Sequence, residues 1–263
     1  MYSRSSLYRV LHNHGVKVAL SIGLLLLLLL PVLTGAAPHW DYVENGPYGP
    51  SHWGSLSSEY ETCRSGHRQS PIDLESPVRA ALRPLDWHYA PMSARIVNTG
   101  HALQISPAGE QDESVVLDGH RYRLQQIHFH APSEHHVRGH AFPLEAHFVH
   151  QDETGHLAVI AVLFDSGSPL PVLESLWQVM PEEAGRTLDA GRLIDPRDLL
   201  PQSGGYFRLS GSLTTPPCSE DVLWLILKSH PTVSLTQVAR LVHLVGGHNN
   251  RPIQPRHGRD ILE

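Results

Sequence analysis

The chain has 263 residues, of which 41% are hydrophobic and 17% are charged. This is enough for one large core, and the formal net charge of −6 is spread without a basic stretch. Nucleic acids and anionic membrane surfaces bind mainly basic proteins, so we expect neither as a partner.

Residues 1–36 have the composition of a secretory signal peptide. Basic residues up to Lys17 precede an apolar run from Val18 to Leu33, and small residues follow it. We expect cleavage after Ala36, which leaves 17 basic and 26 acidic residues and a net charge of −9. The alternative is an uncleaved anchor, although the run is short against the roughly 20 residues of a spanning helix. We therefore expect export to the periplasm or the exterior and no stable membrane span in the mature chain.

The chain has two cysteines, Cys63 and Cys218. Export would expose them to an oxidising compartment, where they are each other's only available partner. We expect one disulfide between them, and two free thiols are the alternative.

The mature chain reads mostly as short strands. Residues 40–70 are rich in Gly, Pro, Ser and Trp without a sustained period, which predicts an ordered arm with short turns. Runs of strand length follow, separated by polar or Gly/Pro breaks, at 85–89, 94–98, 101–106, 114–117, 122–130, 144–150, 157–164, 206–209 and 222–228. Helices are predicted over 171–180 and from a capping box at Ser234 through Leu244. Residues 37–263 thus predict one α+β domain, mostly β.

Two of these runs carry regularly spaced histidines. His128 and His130 lie two residues apart, so both side chains point to one face of a strand. His147 lies on the next run, and antiparallel pairing would bring it opposite them. Three imidazoles with no fourth protein ligand are typical of a catalytic zinc site. Gln126 and Glu145 each precede a ligand by two residues and could hold its second nitrogen.

The histidine pattern alone leaves another interpretation open. Histidines on half-buried strands are also common as hydrogen-bonded core residues or as surface residues. The remaining histidines, among them His135, His136, His140, His150 and His156, have no assigned role, and a solvated, buffering surface is the expectation for them.

The segments 126–136 (QIHFHAPSEHH) and 144–150 (LEAHFVH) resemble the alpha-class carbonic anhydrases in their bacterial secreted form. The resemblance continues in order through QSPID at 69–73, NTGH at 98–101, GSLTTPPC at 211–218 and NNRPIQP at 249–255. It implies a single domain on a large twisted, mainly antiparallel sheet with short peripheral helices and a conical cleft. It also implies zinc-dependent, reversible hydration of carbon dioxide to bicarbonate and a proton, by attack of zinc-bound hydroxide.

The resemblance assigns roles by position. It implies that Thr214 orients the hydroxide, that Glu134 accepts from the Thr214 hydroxyl, and that His101 shuttles the proton. It implies a substrate pocket formed by Val149, Val159, Leu213, Thr215 and Trp224. The carbonyl of Asn249 would support a ligand histidine, and Tyr42 and Gln104 would line the polar side of the cleft. Thr99 departs from the family pattern, since many relatives have Asn there.

The sequence leaves two other functions open. One is a catalytically weak zinc-binding protein, and the other is an interaction module of the same fold. The sequence leaves open whether the mature chain is a monomer or a homodimer.

Overall fold

The computed structural model describes residues 37–109, 111–202 and 204–263, and the predicted signal peptide lies outside these ranges. The strands within them are β1 (Asp73–Leu74), β2 (Asp86–His88), β3 (Met92–Asn98), β4 (Leu103–Pro107), β5 (Ser114–Leu117), β6 (His120–His130), β7 (His136–Val137), β8 (His140–Ala141), β9 (Leu144–Gln151), β10 (Leu157–Ser166), β11 (Thr187–Ile194), β12 (Tyr206–Ser212), β13 (Glu220–Leu227) and β14 (Thr232–Val233).

The helices of the described residues are short. They are α1 (Trp53–Leu56), α2 (Thr62–Ser65), α3 (Pro171–Val179) and α4 (Leu235–Val245), with 3-10 turns at Ser58–Tyr60 and Pro196–Leu199. The capping box of α4 is confirmed, because the Ser234 hydroxyl accepts from the main-chain nitrogen of Gln237 and the Gln237 side chain accepts from that of Ser234. None of these helices is long and apolar enough to cross a membrane.

One large sheet dominates the described residues. Its main path runs β11-β3-β4-β6-β9-β10-β13-β12, and its pairings are antiparallel except those of β10 with β13 and β14. This confirms the predicted mostly β, mainly antiparallel architecture. Strand β10 is apolar on both faces and is buried along most of its length, because it lies inside the sheet and an apolar cluster covers each face.

The sheet separates two apolar clusters. One face packs against α3 and α4 and contains alternate residues of β10, such as Ile160 and Val162. The other face contains Val159, Ala161 and Leu163 of the same strand. Because β10 lies between β9 and β13, the second face continues directly into the surface that carries His147.

The prediction missed β11, whose sequence, TLDAGRLI, lacks an alternating apolar pattern. The strand lies at one end of the sheet and pairs with β3, and its register shifts between Asp189 and Leu193. An edge strand of this kind buries few side chains, so composition gave no sign of it.

Candidate active site

Strands β6 and β9 bring the three predicted ligand histidines together. His128 pairs directly with His147, and His130 pairs with Glu145. The ring centroids are 4.9 Å apart for His128 and His130, 5.0 Å for His128 and His147, and 4.6 Å for His130 and His147. One nitrogen of each imidazole lies within 4.8 Å of the others, as the ligands of a single ion require.

Each of these imidazoles is held through its other nitrogen. Nδ1 of His128 donates to the side-chain oxygen of Gln126, and Nδ1 of His130 donates to the carbonyl of Asn249, both at 2.7 Å. Nε2 of His147 donates to Oε1 of Glu145, also at 2.7 Å. The unprotonated nitrogens are then Nε2 of His128, Nε2 of His130 and Nδ1 of His147, and they face one another.

The inward-facing nitrogens fit a cation. Nε2 of His130 is buried and has no hydrogen-bond partner among the described residues, while Nδ1 of His147 lies 3.2 Å from Nε2 of His128. Burial and the neighbouring imidazoles lower the pKa of His128 well below its ordinary value, and burial lowers the pKa of His130. Three neutral imidazoles with facing lone pairs are a donor set that suits zinc.

Glu145 is the carboxylate behind the site. Oε1 accepts from His147 and from Nδ1 of His135, and Oε2 accepts from the main-chain nitrogens of Glu134 and His135. Burial by itself raises the pKa of Glu145, but His135 and His147 together hold it well below its usual range. The carboxylate is therefore ionised at neutral pH and fixed by four donors.

Glu134 and Thr214 are both buried at the site, but they are not hydrogen-bonded to each other. Oε1 of Glu134 accepts from the main-chain nitrogen of Arg251 at 2.8 Å. Oε2 lies 3.5 Å from Nε2 of His130 and 4.0 Å from Nδ1 of His147, without a hydrogen-bond partner among the described residues. This carboxylate oxygen therefore lies beside the imidazoles, and the bond expected from Thr214 is not formed among the described residues, so the role of the Thr214–Glu134 pair stays a prediction.

The predicted apolar pocket residues form one surface. Val159 of β10 pairs with Val149 of β9 on one side and with Trp224 of β13 on the other. Leu213 packs against the same cluster. The Trp224 ring lies 4.9 Å from the ring of His147, so this surface borders the imidazoles directly. Thr215 is partly exposed in the following turn.

His101 lies in the turn between β3 and β4. Its ring stacks on Trp40 with centroids 3.9 Å apart and an interplanar angle of 11°. Burial lowers the pKa of His101, His39 lowers it further, and Asp41 raises it. His39, Asp41 and His101 line a cavity of about 510 Å³ that opens at this side of the chain.

The cysteines form the expected disulfide, Cys63–Cys218. It lies beside the turn that carries Thr214 and Thr215, and the main-chain nitrogen of Cys218 donates to the carbonyl of Thr215. The structure therefore connects the arm that carries Cys63 to one wall of the site.

Sequence reasoning misjudged two histidines and missed one arginine. His135 and His150 are fully buried instead of solvated, since His135 bonds to Glu145 and His150 lies on the core face of β9 beside Tyr89. Arg251 is 2% exposed, and its guanidinium donates to the carbonyls of Ser70 and Cys63 and to Gln69. The period of β9 could have identified His150, because it shares a face with Ala146 and Phe148.

Comparison with known proteins agrees with this geometry. A family described as eukaryotic-type carbonic anhydrase matches residues 48–263. A carbonic anhydrase of Klebsiella pneumoniae is 41% identical over 94% of this chain and 100% of its own length. One of Neisseria gonorrhoeae is 40% identical over 87% of this chain and 89% of its own length.

The alpha-carbonic anhydrase of Thermovibrio ammonificans, solved with the inhibitor sulfanilamide, superposes with a TM-score of 0.82. It is 44% identical and covers 87% of this chain and 100% of its own. The class of protein that these matches define is the carbonic anhydrase family, and its fold is that of the mostly β domain described above. The chain belongs to the alpha class of carbonic anhydrases, enzymes that hydrate carbon dioxide.

Proposed function

We propose that the chain hydrates carbon dioxide reversibly through a zinc ion held by His128, His130 and His147. The observation that carries the proposal is the set of facing nitrogens, one of which is a buried Nε2 without a partner among the described residues. A buried lone pair without a donor or cation is costly. Zinc at this position would supply a Lewis acid that makes a water molecule nucleophilic toward carbon dioxide near neutral pH.

The ligand nitrogens are oriented by Gln126, Glu145 and the carbonyl of Asn249. A buried carboxylate or carbonyl on the second nitrogen fixes the tautomer and the ring plane, and it raises the basicity of the other nitrogen. Glu145 does this for His147 while its charge offsets part of the charge of a divalent ion.

Glu134 and Thr214 orient the nucleophile. A hydroxyl can donate one hydrogen bond and accept another. Oε2 of Glu134 is the free acceptor available to the Thr214 hydroxyl. Once the hydroxyl donates there, its oxygen accepts from a protonated nucleophile and favours the attacking geometry.

The apolar surface of Val149, Val159, Leu213 and Trp224 holds carbon dioxide, a small molecule without a strong hydrogen-bonding group. Thr215 at the edge of this surface contacts the bicarbonate product. His101 accepts the released proton and passes it to buffer, because an imidazole titrates near neutrality.

The chain is proposed to act outside the cytoplasm. The disulfide and the similarity to bacterial carbonic anhydrases fit an exported protein. We infer that residues 1–36 are removed as a signal peptide and that residues 37–263 form the catalytic domain. The mass of the protein recovered from the periplasm or the medium would test this boundary.

The direct test combines zinc stoichiometry with carbon dioxide hydration on the mature protein. We expect one zinc per chain, loss of hydration on chelation, and recovery on addition of zinc. His147→Ala is expected to abolish zinc retention, and His156→Ala, which changes an exposed histidine, is the control. Bound zinc without hydration in any buffer would contradict the proposal and favour the zinc-binding or interaction module.

A further inference from the structure

Asn249 is a buried residue that lies outside the strands and hydrogen-bonds to the end of β6. Its carbonyl accepts from Nδ1 of His130 at 2.7 Å, and its side-chain oxygen accepts from the main-chain nitrogen of Ala131 at 2.9 Å. Its main-chain nitrogen donates to the carbonyl of Ala131. The residue is 2% exposed, so these bonds are shielded from water.

The side-chain nitrogen of Asn249 points to two other carbonyls. Nδ2 donates to Phe129 at 2.8 Å and to His101 at 2.9 Å. Both hydrogens of the amide are therefore used, one on the strand that carries His130 and the other on the turn that carries His101. One side chain thus joins segments that are distant in sequence.

The other contacts of His101 come from its own turn and from Trp40. The Thr99 hydroxyl accepts from the main-chain nitrogens of His101 and Ala102 and donates to the Ala102 carbonyl, which fixes the turn internally. Trp40 supports the ring from one side. Asn249 is the member of this set that also bonds to β6.

We propose that Asn249 is a positioning residue for proton transfer, because its amide sets the place of the His101 turn relative to the zinc-binding strand. The inference rests on the proposed role of His101. Proton transfer depends steeply on the geometry between donor and acceptor, and a displacement of about 1 Å can cost about 10²-fold in rate. Without the Asn249 bond, the base of the turn would still be held by Asn98 and by the pairing of β4 with β6, but the His101 carbonyl would lose its bond to the residue that supports His130.

The sharpest variant is Asn249→Asp, which keeps the shape. It removes both amide hydrogens and sets a carboxylate oxygen against the carbonyls of Phe129 and His101. The bonds to Ala131 and His130 are retained, so zinc affinity and kcat/KM are expected to stay within about 3-fold. We expect kcat in weak buffer to fall about 10-fold. This loss is smaller than the roughly 10²-fold that general acid–base catalysis contributes, because His101 itself is still present. Concentrated imidazole should restore kcat.

Two further variants keep the test decisive. Asn249→Ser removes the amide without adding a buried charge, and it replaces Asn249→Asp if that protein does not fold. Asn45→Asp is the matched control, since it makes the same chemical change at an exposed residue that does not line the His101 cavity. It is expected to leave all rates unchanged.

A spectroscopic measurement separates this inference from the proposed function. The ring protons of His101 lie over the Trp40 indole and should be shifted upfield in the NMR spectrum of the protein, with or without zinc. We expect Asn249→Ser to move these resonances toward those of an unstacked histidine, while Asn45→Asp leaves them in place.

Three outcomes would overturn the inference. One is an unchanged His101 resonance in the Asn249 variants, which counts even if the wild-type protein hydrates no carbon dioxide. Another is that the Asn249 variants keep the wild-type kcat in weak buffer under conditions in which His101→Ala lowers it. The third is an equal loss of kcat, kcat/KM and zinc affinity, which would indicate general damage to the site.

Discussion

Oε1 of Glu145 lies 2.7 Å from Nε2 of His147, and Nδ1 of the same imidazole lies 3.2 Å from Nε2 of His128. The carboxylate therefore decides which nitrogen of His147 faces the other two ligands. It can do so because His135 and two main-chain nitrogens occupy its remaining lone pairs and prevent it from rotating.

Glu145→Gln should weaken zinc binding. The amide keeps the size of the side chain but loses the charge, and its NH2 group would oppose the main-chain N–H groups of Glu134 and His135. Losing such a partner typically costs about 10–100-fold in metal affinity, and we expect that range in competition with a fluorescent chelator. Glu153→Gln, at an exposed acid, is the control. Unchanged affinity would show that His147 is oriented by other contacts.

His101→Ala should retain zinc and slow turnover. Without an imidazole, the proton must leave through solvent, and kcat in weak buffer is expected to fall about 10–100-fold. Stopped-flow hydration in a series of imidazole concentrations measures this, since free imidazole should restore the rate. Equal turnover of variant and wild type at the lowest buffer concentration would refute the shuttle role.

Glu134→Gln and Thr214→Ala should each lower kcat/KM by about 10²-fold, the usual effect of removing one preorganised hydrogen bond in an active site. Because the two residues are proposed to act as one unit, the double variant should lose little beyond either single change. Hydration kinetics of all three proteins provide the test. Fully additive losses would mean that the carboxylate and the hydroxyl act separately.

His150 should make stability depend on pH. Burial lowers its pKa to about 4, whereas an unfolded histidine titrates near 6.5, so the unfolded state binds more protons between these values. Its contribution to the free energy of unfolding, about 3 kcal/mol, is present above pH 6.5 and is lost as the pH falls toward 4.

His150→Gln tests this contribution, because an amide can still bond to the Tyr89 hydroxyl but does not titrate. Urea unfolding of both proteins between pH 4 and pH 7 should give a shallower pH dependence for the variant. His156→Gln, at an exposed position, should keep the dependence of the wild type. Parallel curves for His150→Gln and wild type would contradict the assignment.

Replacing both cysteines by serine should destabilise the protein. The disulfide joins residues 155 apart, and chain-entropy models assign about 4–5 kcal/mol to a loop of this length. Urea unfolding of the double serine variant, compared with the oxidised wild type, measures the loss. A difference under about 1 kcal/mol would indicate that contacts around Arg251 already hold the arm in place.

Periodicity predicted the half of the site that lies on regular strands. The alternation of β9 correctly put Glu145, His147 and Val149 on one face, because side chains in a strand repeat every two residues. The same rule, applied to β10 and β13, accounts for the apolar surface beside the histidines.

The two-residue repeat cannot predict long-range contacts between irregular segments. Arg251 and Asn249 lie outside the strands and helices, and their partners in β6, the arm and the His101 turn are more than a hundred residues away. The burial of His135 likewise depends on Glu145 ten residues further along. No local pattern encodes these pairings, since they arise only when the sheet is assembled.

The pairing of β6 with β9 changes register once along the strand. Leu124 pairs with His150 on the core face, the register shifts past Gln125, and Gln126 pairs with Val149 on the other face. The extra residue therefore reverses the alternation partway along the strand. Strict alternation through Gln125 would put Leu124 on the face of the ligand histidines, and the extra residue keeps it in the core with Ile127 instead. Deleting Gln125 would leave a continuous repeat with the same assignment of faces, whereas deleting one residue between Gln126 and His130 would put part of the histidine set on the core face. A change of one residue in length should accordingly be tolerated better at Gln125 than between Gln126 and His130, where it would divide the ligand set between the two faces of the sheet.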